Sequence, residues 1–443
     1  MTKSVSRREF VGTSTAAAGA FTIVPRHVLG RGYTAPSDKL NIACIGVGGM
    51  GMNDVDGVSG EQIVAMADVD WNHAEEARRK YPQARRYTDY RELFAKEGAG
   101  IDAVTVSTPD HSHAAAAMMS LKLGKATYCQ KPLARTLHEV KALADAARLG
   151  KVVTQMGNQG HAMDGVRKLR EMIDAGVIGT VREVHYWTNR PIWPQGITRP
   201  TEAHNPVNID WNLWLGPAAE RPYNPAYAPF RWRGWWDFGT GALGDMACHG
   251  MDAAFWILDL GFPERIIPES TELYPETGPK ASRVEYRFGA KGDRPAVNIY
   301  WRDGDFRPPR PKELPETMSW PPADIGGQLW VGDDGAIVAG MYAEDPLPLD
   351  PKKAAELEAN PLKEKYPRSK GVYTEFLDAA KGGPAAHSAF DGHAGGLTSM
   401  VLLGCLAVRA GRDLRINPSN GTITNEQLPE EWLRPVYREG WTL

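Results

Sequence analysis

The residues of this chain best suited to moving a proton are an aspartate and a histidine four positions apart. Asp245 and His249 stand in the run Asp237-Phe238-Gly239-Thr240-Gly241-Ala242-Leu243-Gly244-Asp245-Met246-Ala247-Cys248-His249, a glycine-rich approach into a helix. Four residues make about one helical turn, so the two side chains share a face. Histidine titrates nearest neutral pH and is the natural general base. A carboxylate beside it can fix the ring's orientation and steady the charge it acquires. A helix cap by Asp245 is the structural alternative. Metal binding by Asp245, Cys248 and His249 is the rival chemistry, but no companion ligands cluster in the sequence and no metal is expected. Two other short runs carry reactive side chains: Thr108-Pro109-Asp110-His111-Ser112-His113 and Gln130-Lys131-Pro132.

What must position these residues is a parallel α/β sheet. From residue 40, short apolar runs at 40–45, 62–67, 103–107, 126–129 and 152–156 alternate with helix-period segments at 72–80, 112–123 and 137–149. A weaker strand falls at 86–87. Thr136 and Glu139 have the spacing of a capping box at the head of the last helix. Between the first strand and the next helix lies Gly46-Val47-Gly48-Gly49-Met50-Gly51. Its glycines allow a tight turn and let backbone N–H groups at a helix N-terminus approach a pyrophosphate, so Gly46, Gly48, Gly49, Met50 and Gly51 are expected to hold a dinucleotide. Asp68 ends the second strand. A carboxylate there accepts from the adenosine ribose and repels a 2′-phosphate, which favours NAD, with Asp70 a nearby alternative. Both reactive loops follow strand ends, where open α/β sheets bind ligands. Thr108, Pro109, His111, His113, Gln130 and Lys131 are therefore expected at the cofactor.

Taken together, the glycine turn, the Thr108–His113 loop, Gln130-Lys131-Pro132 and the Asp245…His249 pair resemble the Gfo/Idh/MocA oxidoreductases, the superfamily of glucose–fructose oxidoreductase and inositol dehydrogenase. The likeness runs through nearly the whole chain from residue 40. It implies that Lys131, Asp245 and His249 are the catalytic residues, with Lys131 at the nicotinamide and substrate and the Lys131–Pro132 bond often cis. The family's motif at this place is usually Glu-Lys-Pro; here Gln130 stands for the glutamate, which makes the field around Lys131 more positive. The implied reaction is hydride transfer between NAD and a hydroxyl-bearing carbon of a sugar, glycoside or polyol, His249 taking the hydroxyl proton. An NAD-dependent glycosidase working by transient oxidation and elimination is the alternative. Asn158, Gln159 and His161 after the sixth strand, and Arg190 and Trp193 after a strand near 184–187, are expected to line the substrate pocket.

Beyond residue 160 the pattern becomes antiparallel. Val284, Tyr286 and Phe288 alternate, a turn follows at 289–292, and 297–301 returns. The expected fold is thus an N-terminal Rossmann domain (39–160) and a C-terminal α+β domain (161–443) with a large, mainly antiparallel open sheet. Family members use that sheet as one wall of the site and often as a homo-oligomer interface, which implies a dimer or tetramer. Residues 308–322 read as a proline-rich loop. Segments 372–381 and 394–411 read as helices packing back near the first domain; His393 reads as a surface residue, with an approach to the site as the alternative. Eight of the 14 tryptophans lie between Trp187 and Trp256; core packing and platforms for sugar rings are both open readings.

Composition excludes other classes. Net charge is -3 with no basic stripe, so nothing points to nucleic acid. No run of 18 apolar residues suggests a membrane span. Cys44, Cys129, Cys248 and Cys405 are scattered, without a disulfide or zinc pattern. At the start, Ser6-Arg7-Arg8-Glu9-Phe10 precedes a weakly apolar run to Val24. This reads as a twin-arginine signal with a linker, residues 1–38 together, and implies a periplasmic or otherwise exported protein carried by the twin-arginine machinery. That route carries folded proteins, so an exported NAD protein should fold around its cofactor and keep it.

Overall fold

The computed structural model describes residues 38–443, except 313, 315, 317–318 and 321–325. The twin-arginine segment lies outside the described residues.

Six short strands form the first sheet: β1 (Asn41–Ile45), β2 (Gln62–Ala67), β3 (Arg85–Tyr87), β4 (Ala103–Val106), β5 (Ala126–Cys129) and β6 (Thr154–Met156). All pairings are parallel, in the order β3-β2-β1-β4-β5-β6. This is the dinucleotide-binding order, with the strand direction of winding reversing between β1 and β4. The helices between the strands are α1 (Met50–Gly57), α2 (Glu75–Lys80), α3 (Tyr90–Glu97), α4 (Asp110–Lys122) and α5 (Leu137–Gly150). Strands β4 and β5 are buried on both faces, as their unbroken apolar runs require. The capping box at α5 is formed: Glu139 N donates to Thr136 Oγ1 and Thr136 N donates to the Glu139 carboxylate. Its acid satisfies a helix-end N–H that burial would otherwise orphan.

The second sheet has eight strands: β7 (Val181–Thr188), β8 (Arg265–Ser270), β9 (Ser282–Phe288), β10 (Val297–Arg302), β11 (Gly326–Gly332), β12 (Gly335–Gly340), β13 (Leu347–Pro348) and β14 (Leu414–Arg415). Their order is β13-β12-β11-β7-β10-β9-β8-β14, antiparallel but for the β7–β10 pair. The period-2 pattern at 284–288 is realised in β9, which alternates buried and half-exposed or exposed residues. Helices α6 (Asp164–Asp174), α7 (Trp211–Leu215), α8 (Gly241–Gly250), α9 (Asp252–Ile257), α10 (Pro351–Ala359), α11 (Val372–Ala380), α12 (His393–Ala410) and α13 (Glu430–Leu433) complete the described α-helices.

One apolar cluster joins the sheets, from Ile45 and Val104 through α12 to Tyr286 and Trp301. Helix α12 is long and apolar enough to cross a membrane by length and composition, yet 67% of it is buried inside the protein. It is a core helix. The chain just before and within it is bonded to the first sheet: Met156 N donates to Ser388 O, Phe390 N to Thr154 Oγ1, and Leu133 N to Thr398 Oγ1. These bonds bring α8, which packs on α12, to the carboxyl edge of the first sheet.

Candidate active site

A cleft opens at the carboxyl ends of β1, β2, β4 and β5. Its lining includes Gly46, Gly48, Gly49, Met50, Asp68, Asp70, Thr108, Pro109, Asp110, His113, Gln130 and Lys131. Pro229, Phe230, Trp232 and Arg233, from the segment before α8, form the facing wall. Two glycines are demanded by packing. Gly46 has φ +75°, and a Cβ on it would lie 2.7 Å from Ser107 O. A Cβ on Gly51 would lie 2.0 Å from Gly46 O, so this residue lets α1 press against the turn. The first turn of α1 has no side-chain cap, which leaves a helix N-terminus facing the cleft, as an anion site requires.

Asp68 does more than end β2. Its Oδ2 accepts from Val47 N at 2.8 Å and Gly48 N at 3.2 Å, and its Oδ1 accepts from Asp70 N at 2.9 Å. Burial raises its pKa, and these backbone donors oppose the rise. The carboxylate therefore shapes the glycine turn as well as facing the cleft. Asp70 holds Asn72 N, His73 N and Asn208 Nδ2.

Lys131 follows β5, with the Lys131–Pro132 bond cis. Its Nζ donates to Asp245 Oδ1 at 2.8 Å and to Asp245 O at 3.0 Å; Arg233 Nε reaches the same Oδ1 at 3.2 Å. Burial works against ionising Asp245, but Lys131 and Arg233 outweigh it and hold the carboxyl well below the ordinary range. Asp110 heads α4 and accepts from Thr240 Oγ1 at 2.9 Å. Burial pushes it up to about 7, offset in part by Lys131, so it titrates near neutrality. His249, one turn beyond Asp245, packs on Tyr342 with ring centroids 4.7 Å apart, and its buried Nδ1 has no hydrogen-bond partner among the described residues. Burial and then the charge of Lys131 bring it down to about 3, so the ring is neutral.

Gln130 points the other way, into α1. Its Nε2 donates to both oxygens of Asp54, at 2.9 and 3.0 Å. Ser107 Oγ at 2.5 Å and Tyr373 OH at 2.7 Å complete the shell of this fully buried acid. Burial raises Asp54 to about 6 against these bonds.

Some expected site residues lie elsewhere. His111 is corrected from a cofactor contact to a structural residue: Nε2 stands 2.9 Å from Trp214 O and Nδ1 3.4 Å from Phe238 O, so the neutral ring can donate to one of these carbonyls and is enclosed by the backbone of the second domain. His113 does line the cleft, its two nitrogens 2.8 Å from Pro132 O and Thr108 O. Asn158 and His161 meet Asp252 in a separate buried group, and His393 joins them rather than lying at the surface, because α12 starts in the core. Gln159 is half-buried beside Tyr373. Arg190 is half-buried and bonds Asn189. Trp193 is buried, 5.9 Å from the cleft residue Phe230. Of the tryptophan group, Trp235 is core, whereas Trp214 and Trp232 also reach the cleft. Asp54, Asp110, Arg233 and Asp252 were not singled out in the sequence; only Asp252, seven residues after Asp245 along two consecutive helices, left a periodic signal there.

Residues 40–158 match the family described as "Oxidoreductase family, NAD-binding Rossmann fold", and residues 163–290 match its C-terminal alpha/beta domain, together more than half of the chain. The chain belongs to the Gfo/Idh/MocA oxidoreductases, and its first domain is an NAD-binding Rossmann domain. It is 32% identical over 165 residues to inositol 2-dehydrogenase of Rhodococcus erythropolis, which covers 36% of this chain and 47% of that protein. With inositol 2-dehydrogenase 3 of Saccharopolyspora erythraea it shares 29% over 183 residues, 40% of this chain and 53% of the relative. The chain thus spans about half the length of the curated relatives it matches. Among solved structures, the WlbA dehydrogenase of Bordetella pertussis in complex with NADH and UDP-GlcNAcA superposes with a TM-score of 0.60 at 16% identity, covering 86% of this chain and 98% of that one. A levoglucosan dehydrogenase complexed with NADH and levoglucosan gives 0.57 at 19%, covering 85% and 99%. These likenesses establish the fold.

Proposed function

We propose that this chain is an NAD(H)-dependent dehydrogenase of a sugar, glycoside or polyol. The observation that carries the proposal is the Lys131–Asp245–Arg233 network, whose Lys131 and Arg233 line the same cleft as the glycine turn. Bound NAD would supply the hydride acceptor, held by the uncapped end of α1 and by Asp68. Lys131, fixed by Asp245, polarises the substrate hydroxyl. His249 is neutral at working pH and so free to accept the hydroxyl proton. Its low basicity requires that the proton move as the hydride departs, not before it. Phe230 and Trp232, with the Arg233 guanidinium 4.5 and 4.2 Å from their ring centres, offer an apolar wall to a sugar's C–H face. The inositol dehydrogenases among its relatives support a polyhydroxylated substrate.

The twin-arginine pattern of residues 6–24 and the family resemblance add to this proposal an exported homo-oligomer that retains its nucleotide. Mass spectrometry of denatured protein should show near-stoichiometric NAD or NADH. Incubation with a panel of glycosides and polyols should give a keto-product with reduction of the bound nucleotide. Free sugar without net reduction would favour the eliminating glycosidase. No change with any substrate, in protein shown to hold NAD, would sink the dehydrogenase reading.

A further inference from the structure

The buried group around Asp252 belongs to no step above. His161 Nδ1 stands 2.9 Å from Asp252 Oδ2, and His393 Nε2 stands 2.6 Å from Asp252 Oδ1. The three ligand-capable atoms all lie within 4.8 Å of one another, and the two imidazoles are 4.1 Å apart, centre to centre. Asn158 Nδ2 also reaches Asp252 Oδ1, at 2.6 Å, while its Oδ1 is buried without a hydrogen-bond partner among the described residues. Asn158, His161 and Asp252 are each at most 2% exposed, and the His393 side chain is 10% exposed. An orphaned amide oxygen in such a place is costly, roughly 1–3 kcal/mol for an unmade hydrogen bond. Turning the amide over, which exchanges its nitrogen and oxygen, would put that oxygen 2.6 Å from Asp252 Oδ1, a pairing of two acceptors that a cation between them would relieve.

We propose that Asn158, His161, Asp252 and His393 form a structural site for a divalent transition-metal ion of the zinc type. Two neutral imidazoles, one carboxylate and one amide oxygen are a four-donor set suited to such an ion. Trp256 stands edge-on 5.6 Å from His161, and Phe255 lies 5.3 Å from His393, so aromatic rings flank both ligands. The nearby Arg167 is engaged with the carbonyls of His161 and Met163. Four protein donors close the coordination sphere, which marks a structural ion, not a catalytic one. The ion would tie three distant stretches of chain: the loop after β6, the α8–α9 junction and the start of α12. It would thereby fix the end of the helix that carries His249, three residues before Asp252. When the ion is absent, ring protons between the same atoms hold the group together.

The test uses the full purified chain, stripped with a chelator and titrated with Zn²⁺ and with Co²⁺. Wild type should take up one ion per chain, with visible Co²⁺ bands of nitrogen–oxygen coordination and a raised melting temperature. His393→Ala should weaken Zn²⁺ binding on the order of 100-fold or more, since loss of a ligand exceeds the loss of an outer-shell partner. Retained NAD in that variant shows that it has folded. Asn158→Asp discriminates by sign. As a ligand substitution it adds a charged donor, so the variant should bind Zn²⁺ more tightly and gain more in melting temperature when the ion is added. If the group is only a hydrogen-bonded cluster, a second carboxylate against Asp252 lowers the melting temperature with and without Zn²⁺. That result, or equal uptake by wild type and His393→Ala, or no uptake, overturns the proposal.

Discussion

The exchange of glutamate for Gln130 can be tested against the acid it faces. Gln130 Nε2 donates twice to Asp54, 2.9 and 3.0 Å away, in a site from which solvent is excluded. Gln130→Glu removes both donors and sets a carboxylate against a carboxylate. Wild-type Asp54 is raised to about 6 by burial, so its own contribution favours the folded state below about pH 4 and is lost as pH rises through 6. In the variant the pair binds one proton more firmly still, so the added penalty must grow in the same direction. At pH 5 the loss should be near that of the hydrogen bonds alone, about 1 kcal/mol. At pH 8, where the second proton is stripped from a buried pair, it should reach about 3 kcal/mol or more. Urea denaturation of both proteins at the two pH values reads this directly. Adding Asp54→Asn to Gln130→Glu restores an amide–carboxylate pair with the roles reversed. It should recover about 2 kcal/mol of the pH 8 loss, a coupling energy in the range for residues in contact. A pH-independent effect of Gln130→Glu, or strict additivity in the double variant, would refute the claim that Asp54 dictates glutamine at this position.

Asp68→Ala removes both the ribose acceptor and the anchor of Val47 N and Gly48 N, so NAD affinity should fall and NADP should gain relative to it. Unchanged preference in binding titrations would move the role to Asp70. His249→Ala should slow single-turnover reduction of bound NAD by about 10²- to 10⁴-fold while the nucleotide stays bound; near-native rates would pass the base's role to Lys131. Asp110 is raised to about 7 against an ordinary value of 3.8, so its contribution favours the fold below about pH 4 and fades as pH climbs through 7. Asp110→Asn should therefore stabilise the protein at pH 8 by up to about 4 kcal/mol and change little at pH 4, and an equal change at both would show that the acid is not poised by burial.

The order of elements was legible because each left a local mark. The glycine turn had to follow a strand, the fully buried β4 and β5 had to be continuous apolar runs, and Thr136 with Glu139 had to open a helix. Asp245 and His249 were legible for the same reason, being one turn apart on a single helix. What stayed hidden depended on chain-distant contact. His111 and His113 stand two residues apart in one motif and read alike, yet the backbone of Trp214 and Phe238 closes over one while the other lines the cleft. The partner of Gln130 is 76 residues away, and the partner of His393 is 141 away. No spacing rule reaches that far. A histidine at the head of an apolar helix looks like a surface residue until the helix proves to be the core. Burial then changes what each polar group does. It requires Asp54 to have its amide partner, brings Asp110 toward neutrality, strips His249 of its charge, and leaves one oxygen of Asn158 with no partner among the described residues. The reactivity of this site is thus set by the packing of α8 and α12 against the first sheet, and the sequence motifs mark only the side chains on which that packing acts.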